Sequence, residues 1–180
     1  SQNGHLDCVK YLLKSKADIA IKQADGFSPL LIATENGHGV IIDYLLKKKA
    51  DINITSAKGS TVVTMACQEG HDHLLDKFIN EHNLDINMKR VDSCTPLFMA
   101  SQFGNTKCVE KLLAAKADVN IISSKLVSPL YISCSHFHFD ITNLLIEAKA
   151  DINHIWKQNH PIQYVIQKLD FPLLRKFVDL

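Results

Sequence analysis

The chain has 180 residues, of which 46% are hydrophobic and 22% are charged, and its formal net charge is +1. This composition is ordinary for a globular domain that can bury a sizeable core, and the charge balance gives no indication of a nucleic-acid partner. No uninterrupted apolar run is long enough to cross a bilayer, so membrane insertion is not expected.

The first predicted element is a helix that includes Leu12-Leu13 and is followed by Lys16-Ala17-Asp18-Ile19. The same order of residues returns later in the chain, where another short helix precedes it. Residues 1–23 therefore resemble the second half of a repeated unit. We expect the intact protein to continue before Ser1.

Four short phrases recur in step through the rest of the chain. One phrase has its Asp at positions 18, 51, 85, 118 and 151, at spacings of 33 or 34 residues. A Ser-Pro-Leu or Thr-Pro-Leu phrase moves with it, as at Ser28-Pro29-Leu30, and so does a Gly-His or Gly-Asn pair, as at Gly37-His38. The fourth is an apolar pair such as Leu45-Leu46. Four phrases that keep one period indicate a tandem repeat.

Each phrase predicts a local structure. Ser or Thr before Pro places a side-chain oxygen at a helix N-cap and a ring with fixed φ in the first turn. The Gly ends that helix, and a second helix follows, with apolar residues three and four apart and lysines near its C-terminus. An extended segment then leads to a tight turn such as Ala24-Asp25-Gly26-Phe27. Helices this short become stable by stacking on neighbouring units.

A period of 33 residues with Thr-Pro-Leu at the start of the first helix resembles the ankyrin-repeat family. The resemblance covers essentially the whole chain and implies an all-α solenoid of stacked helix-turn-helix units joined by β-hairpin-like loops. A single domain, 1–180, would consist of a partial unit at 1–23, full units at 24–56, 57–90, 91–123 and 124–156, and a degenerate capping unit at 157–180.

Two departures from the family pattern recur along the chain, each in five units. The family's His after Pro-Leu is replaced, so apolar packing is expected instead of the hydrogen bonds that this His makes between repeats; the residues there are Leu31, Thr64, Phe98, Tyr131 and Gln163. The usual Gly before Ala-Asp is also replaced, at a site where a left-handed backbone would cost about 1 kcal/mol per residue. The residues at that site are Lys16, Lys49, Asn83, Lys116 and Lys149.

Units three and six differ in length from the others. Unit three has one extra residue between Phe78 and Asp85, which predicts a lengthened loop, and it lacks the Pro at Val62. Unit six loses a residue before Pro161 and has Leu169 in place of the Gly. A terminal unit needs a polar outer face, which would be supplied by Lys168, Arg175, Lys176 and Asp179.

The cysteines and histidines predict structural roles and no active site. The five cysteines include no C-x-x-C pair, which favours reduced thiols in a cytoplasmic or nuclear setting. Cys67 and Cys134 share one repeat position, and Cys8 and Cys108 share another, which indicates core packing. His71 and His138 fall at the Gly-His position, where they are expected to stabilise a loop. We expect no metal, no cofactor and no catalytic residue.

The resemblance implies a concave face lined by the turn tips and the first helices. Residues there that vary between units are the candidates for partner binding: Asp25, Phe27, Glu35, Asn36, Lys58, Gln68, Glu69, Val91, Asp92, Gln102, Phe103, Lys125, Val127 and His136. Phe27 and Phe103 are expected to be exposed anchors, with local packing as the alternative. Trp156 is either exposed or covers the junction with unit six.

These observations leave three functional hypotheses open. The first is a monomeric, non-catalytic module that binds another protein or peptide. The second is the targeting region of a larger enzyme or channel whose working domain lies outside these residues. The third is a hydroxylation substrate, because the family is sometimes modified at the position of Asn53, Asn87, Asn120 and Asn153. The repeated lysines are either solvated helix ends or a ridge that meets an acidic partner or an anionic surface.

Overall fold

The structure is a computed structural model that describes residues 3–168 together with Pro172, Arg175 and Phe177. In this part of the chain the secondary structure is helical, and one isolated β-bridge joins Trp156 to Asn159. The second helices of the units are α1 (Leu6–Lys14), α3 (Gly39–Lys47), α5 (Asp72–Asp76), α7 (Thr106–Ala114) and α9 (Phe139–Glu147). The first helices are α2 (Pro29–Glu35), α4 (Val62–Glu69), α6 (Pro96–Phe103), α8 (Pro129–Ser135) and α10 (Ile162–Gln167).

The first helices begin where the N-cap pattern predicts. Ser28, Thr61, Thr95 and Ser128 have extended backbones, and each side-chain oxygen accepts a hydrogen bond from the amide three residues later. At the other end, Gly70 and Gly104 take left-handed conformations with φ of 75°. Helix α10 is the exception among the described elements, because Pro161 precedes it and offers no side-chain cap.

One hydrophobic core runs through the whole stack. The first helices of successive units pack side by side, α2 on α4, α4 on α6 and α6 on α8, and each packs on the second helix of its own unit. The buried cluster extends without a break from Val9 to Phe177. No unit therefore has a core of its own, which is the stacking that the short helices require.

Apolar residues do replace the family's His in three units. Leu31, Phe98 and Tyr131 are buried after the Pro-Leu phrase, as predicted. Thr64 differs, because its hydroxyl lies 3.0 Å from that of Thr61 and reinforces the start of α4. Gln163 is exposed, and its side-chain oxygen accepts a hydrogen bond from the His160 amide at 3.0 Å.

Polar side chains at the Gly-His position join each unit to the one before it. The His71 Nε2 hydrogen bonds to the Glu35 carbonyl oxygen at 2.8 Å, and the His138 Nε2 to the Gln102 carbonyl oxygen at 3.2 Å. The side-chain Nδ2 of Asn105 donates to the Cys67 carbonyl oxygen at 2.8 Å. These carbonyl groups lie in the last turn of the preceding unit's first helix, where they accept no hydrogen bond from the helix itself. The predicted loop-stabilising role of His71 and His138 is therefore confirmed.

The lysines before Ala-Asp adopt the left-handed backbone that the sequence predicts. Lys16, Lys49, Lys116 and Lys149 have φ between 64° and 66°, and Asn83 has φ of 49°. A side chain with a Cβ is strained in this region, and Gly is not. The family's Gly would therefore suit this backbone better than the residues present.

Replacing Lys116 by Gly is expected to raise the free energy of unfolding by about 0.5–1 kcal/mol, because relief of left-handed strain exceeds the entropic cost of Gly in the unfolded chain. Urea denaturation measures the change. The matched control is Glu110→Gly, at an exposed helical position in α7, which should lower the same free energy by about 1 kcal/mol. A loss of stability in both variants would contradict the left-handed assignment.

The extra residue of unit three lies in a helix, so the predicted longer loop is wrong. Helix α5 has five residues and continues directly into a π-helical segment of five residues, Lys77–Glu81. The equivalent helices α3, α7 and α9 each have nine residues. A single wide turn absorbs an inserted residue and leaves Leu75 and Phe78 fully buried.

The exposed position of Cys8 is a second correction. Cys108, at the same repeat position in α7, is buried, whereas Cys8 is exposed on α1. The Cys108 thiol contacts the Ala66 carbonyl oxygen of α4, the first helix of the preceding unit, at 3.9 Å, and the described residues include no such helix beside α1. Cys67, Cys94 and Cys134 are buried.

The polar outer face of unit six is described only in part. Lys168 and Arg175 are exposed there, as predicted. Leu169, Lys176 and Asp179 lie outside the described residues.

Candidate partner-binding groove

Each loop between units ends in a tight turn that forms a rigid tip. In the first turn the Gln23 amide donates to the Phe27 carbonyl oxygen at 2.9 Å, and the Asp25 carboxylate accepts from the Phe27 amide at 3.2 Å. Gly26 makes this turn possible, because its φ is 81° and a Cβ there would lie 2.5 Å from the Ala57 backbone nitrogen. The turns at 56–60, 90–94 and 123–127 repeat the same closing hydrogen bond.

Backbone hydrogen bonds also link each tip to the next. The Ala57 amide donates to the Asp25 carbonyl oxygen at 2.9 Å, and the Val91 amide to the Lys58 carbonyl oxygen at 3.0 Å. The Ser124 amide continues the series to the Asp92 carbonyl oxygen at 2.8 Å. The tips therefore form a fixed row, and side chains on them are held in register along the stack.

Trp156 replaces the last backbone bond of this row. Its indole Nε1 donates to the Lys125 carbonyl oxygen at 2.7 Å, and its ring packs edge-on against Tyr131, with 5.6 Å between centroids. The Tyr131 hydroxyl is 2.8 Å from that of Tyr164 in unit six. The interpretation of Trp156 as a cover for the junction with unit six is confirmed.

Two adjoining depressions lie between the row of tips and the first helices, and we call them together the groove. The first has a volume of about 430 Å³ and the second about 320 Å³. Both are bordered by Asp92, Cys94 and Gln102. Nine of the predicted binding residues line the groove, namely Asp25, Phe27, Lys58, Gln68, Asp92, Gln102, Phe103, Lys125 and Val127.

The other predicted residues lie outside the lining. Glu35 and Glu69 are the last residues of α2 and α4, with Asn36 directly after α2 and His136 directly after α8. Val91 is the most exposed large hydrophobic residue among those described, at 78%, and it lies on the third tip.

The two phenylalanines differ in exposure. Phe103, the last residue of α6, is 51% exposed at the edge of the groove, as predicted. Phe27 is half-buried and packs against the main core, so the alternative of local packing accounts for much of its ring. Val127 is only 6% exposed and belongs to a small cluster with Phe98 and Tyr131. Val127 forms part of the floor of the second depression, but little of its side chain is exposed to a partner.

Arg90 is the main groove residue that the sequence did not predict. Its side chain is 12% exposed, and its guanidinium lies 3.3 Å from the Asp92 carboxylate and 3.4 Å from the Gln68 side-chain oxygen. Arg90 shares a repeat position with Ser56 and Ser123, and the change from a small residue to a long cation was the available signal. Met65, Met99 and Ile132 were also missed, and they supply apolar lining.

The chemistry of the groove is that of a binding surface. Burial and the neighbouring Asp92 raise the pKa of the Cys94 thiol to about 12, so this thiol is protonated at neutral pH and is a poor nucleophile. Burial is also the largest cause of a raised pKa at Glu35, followed by the charges of Glu69 and Asp25. Over the described residues, no group of three or more His, Cys, Asp or Glu is placed to hold a metal ion.

The described helices are all too short or too polar to cross a membrane. A search of curated proteins found no match to the chain. The family model for ankyrin repeats (three copies) matches residues 1–56 and 63–155. Ankyrin repeats are generally protein–protein interaction modules and are typically non-catalytic. The match covers most of the chain and agrees with the helical stack described above: this protein belongs to the ankyrin-repeat family.

Proposed function

We propose that this chain is a non-catalytic module that binds a segment of another protein in the groove. A cytoplasmic or nuclear location and a monomeric state are parts of the same proposal. It applies equally where the repeats form the targeting region of a larger enzyme or channel.

The observation that carries the proposal is the lining of the groove. Apolar side chains from Met65, Met99 and Ile132 lie beside charged groups on rigid tips, and Phe103 is half exposed at the edge. Interfaces commonly combine an apolar centre with a polar rim, and aromatic residues that become buried there supply much of the binding energy. Several backbone groups of the tips, such as the Ala57 amide and the Asp25 carbonyl oxygen, are already paired within the row, which gives the side chains a larger share in recognising a partner.

Replacing Phe103 by Ala is expected to weaken binding of the natural partner by about tenfold or more, because an anchoring aromatic side chain contributes at least about 1.4 kcal/mol. The partner is recovered from native lysate with the wild-type chain and purified, and its dissociation constant is measured by calorimetry.

The matched control is Val40→Ala. Val40 is a similarly exposed apolar residue, 67% exposed, on α3 and outside the groove. Its loss should leave the dissociation constant unchanged. Equal affinity of the Phe103→Ala variant and the wild-type chain would contradict binding at the groove.

A further inference from the structure

One repeat position, at the end of each first helix, differs in charge and polarity from unit to unit. At this one repeat position the chain has Asn36, Glu69, Phe103, His136 and Lys168. All five side chains are exposed. Because they occupy equivalent positions in consecutive units, they form one line beside the groove. From unit two to unit six the line has an amide, a carboxylate, an aromatic ring, an imidazole and an ammonium group.

In and beside the groove at units two and three, three carboxylates outnumber the one unpaired cation of the lining, Lys58. Glu35, Glu69 and Asp25 lie close enough for the charges of the latter two to raise the pKa of Glu35. No ion pair to a Lys, Arg or His of the described residues involves any of these three carboxylates. A cation supplied by a partner would relieve their mutual repulsion.

The end at units five and six has an excess of positive charge. The Lys157 ammonium lies 4.5 Å from the centre of the Trp156 ring, and the Lys168 ammonium 4.7 Å from the centre of the Phe137 ring. Neither lysine has a carboxylate partner in the described part of the chain, and the same holds for Lys125 on the fourth tip. An anionic side chain of a partner would find unpaired cations at this end, from whichever of the three lysines it approaches.

The two ends act separately on a partner. The Debye length is about 8 Å at physiological salt, so exposed charges several units apart are largely screened from one another. A single net charge on the partner would therefore satisfy only one end. Two opposite charges, one at each end of an extended segment, would satisfy both, and an apolar residue between them would meet Phe103.

We infer that the groove binds an extended peptide segment whose basic residue, central aromatic or apolar residue and acidic residue lie in this order from unit two towards unit six. The inference rests on the proposed function and adds the chemistry of the bound segment and the place of each charge along the groove. Electrostatic complementarity of this kind fixes the register of a partner more than it adds affinity.

The test uses a random library of 16-residue peptides displayed on phage, selected on the wild-type chain and counter-selected on the Phe103→Ala variant. We expect enrichment of peptides with Lys or Arg on one side of an aromatic residue and Asp or Glu on the other. The selected peptides should bind about tenfold more weakly to a Glu35→Lys/Glu69→Lys variant and to a Lys125→Glu/Lys168→Glu variant. A Lys107→Glu/Glu110→Lys variant of α7 should bind them as the wild-type chain does.

The placement of each charge has its own readout. A peptide selected on the wild-type chain should regain affinity for the Glu35→Lys/Glu69→Lys variant when its basic residues are replaced by acidic ones, and for the Lys125→Glu/Lys168→Glu variant when its acidic residues are replaced by basic ones. Peptides that require Phe103 but show no charge order, and bind the charge-reversed variants normally, would overturn the inference and leave the proposed function intact. A selection that yields no peptide whose binding depends on Phe103 would overturn the proposed function as well.

Discussion

Replacing Phe78 by Ala is expected to lower the free energy of unfolding by about 3–5 kcal/mol, because deletion of a buried aromatic side chain leaves a cavity that the surrounding helices only partly fill. Phe78 is 0% exposed, belongs to the core that joins the units, and lies in the π-helical segment Lys77–Glu81. Because this ring is fully buried in the shared core, its loss gives the largest effect expected from a single truncation here.

The measurement is denaturant unfolding of the full chain, with the slope compared between variants to check that cooperativity is kept. Phe103→Ala provides the matched control, because it deletes the same atoms from a half-exposed position and should change stability by less than about 1 kcal/mol. If Phe78→Ala cost no more than Phe103→Ala, the burial of the Phe78 ring in the shared core would be contradicted.

Replacing Gly104 by Ala is expected to lower the free energy of unfolding by about 2–3 kcal/mol. The left-handed backbone, with φ of 75°, accounts for about 1–2 kcal/mol. The new Cβ would also lie 2.7 Å from the His138 ring, which must move away from the Gln102 carbonyl oxygen that it hydrogen bonds. Loss of that hydrogen bond between units adds about 1 kcal/mol.

Gly39→Ala is the matched control, with the opposite sign. Gly39 begins α3 with ordinary helical geometry, and a Cβ there would contact the Leu74 side chain at 3.5 Å, a normal van der Waals distance. This substitution should stabilise the chain by up to about 1 kcal/mol. Thermal or chemical denaturation of both variants and the wild-type chain measures the two changes in the free energy of unfolding. Stabilisation by both would mean that position 104 is not left-handed.

The sequence predicted the stack well because its signals are local and repeated. The N-cap oxygens, the left-handed lysines and the roles of His71 and His138 each follow from residue type and position within the unit. Repetition then allows each local prediction to be checked in the next unit. The family resemblance predicted that the turn tips and the first helices form the binding face, and nine of the residues chosen on that basis line the groove.

Features that depend on neighbouring units were harder to predict. An inserted residue gives the same spacing whether it lengthens a loop or widens a helical turn, so the π-helical segment was missed. The burial of Val127 and the lining role of Arg90 depend on side chains from adjacent units. Cys8 is exposed because, among the described residues, α1 has no neighbour on the side at which Cys108 contacts α4.

Hydrogen exchange with and without the purified natural partner tests the central claim most directly, since it reports which backbone segments a partner covers. We expect slower exchange at the tips, residues 24–27, 57–60, 91–94 and 124–127, and at the C-terminal ends of α4 and α6. Helices α3, α7 and α9 should exchange as they do in the free chain. Protection that falls on those second helices and spares the tips would contradict binding in the groove.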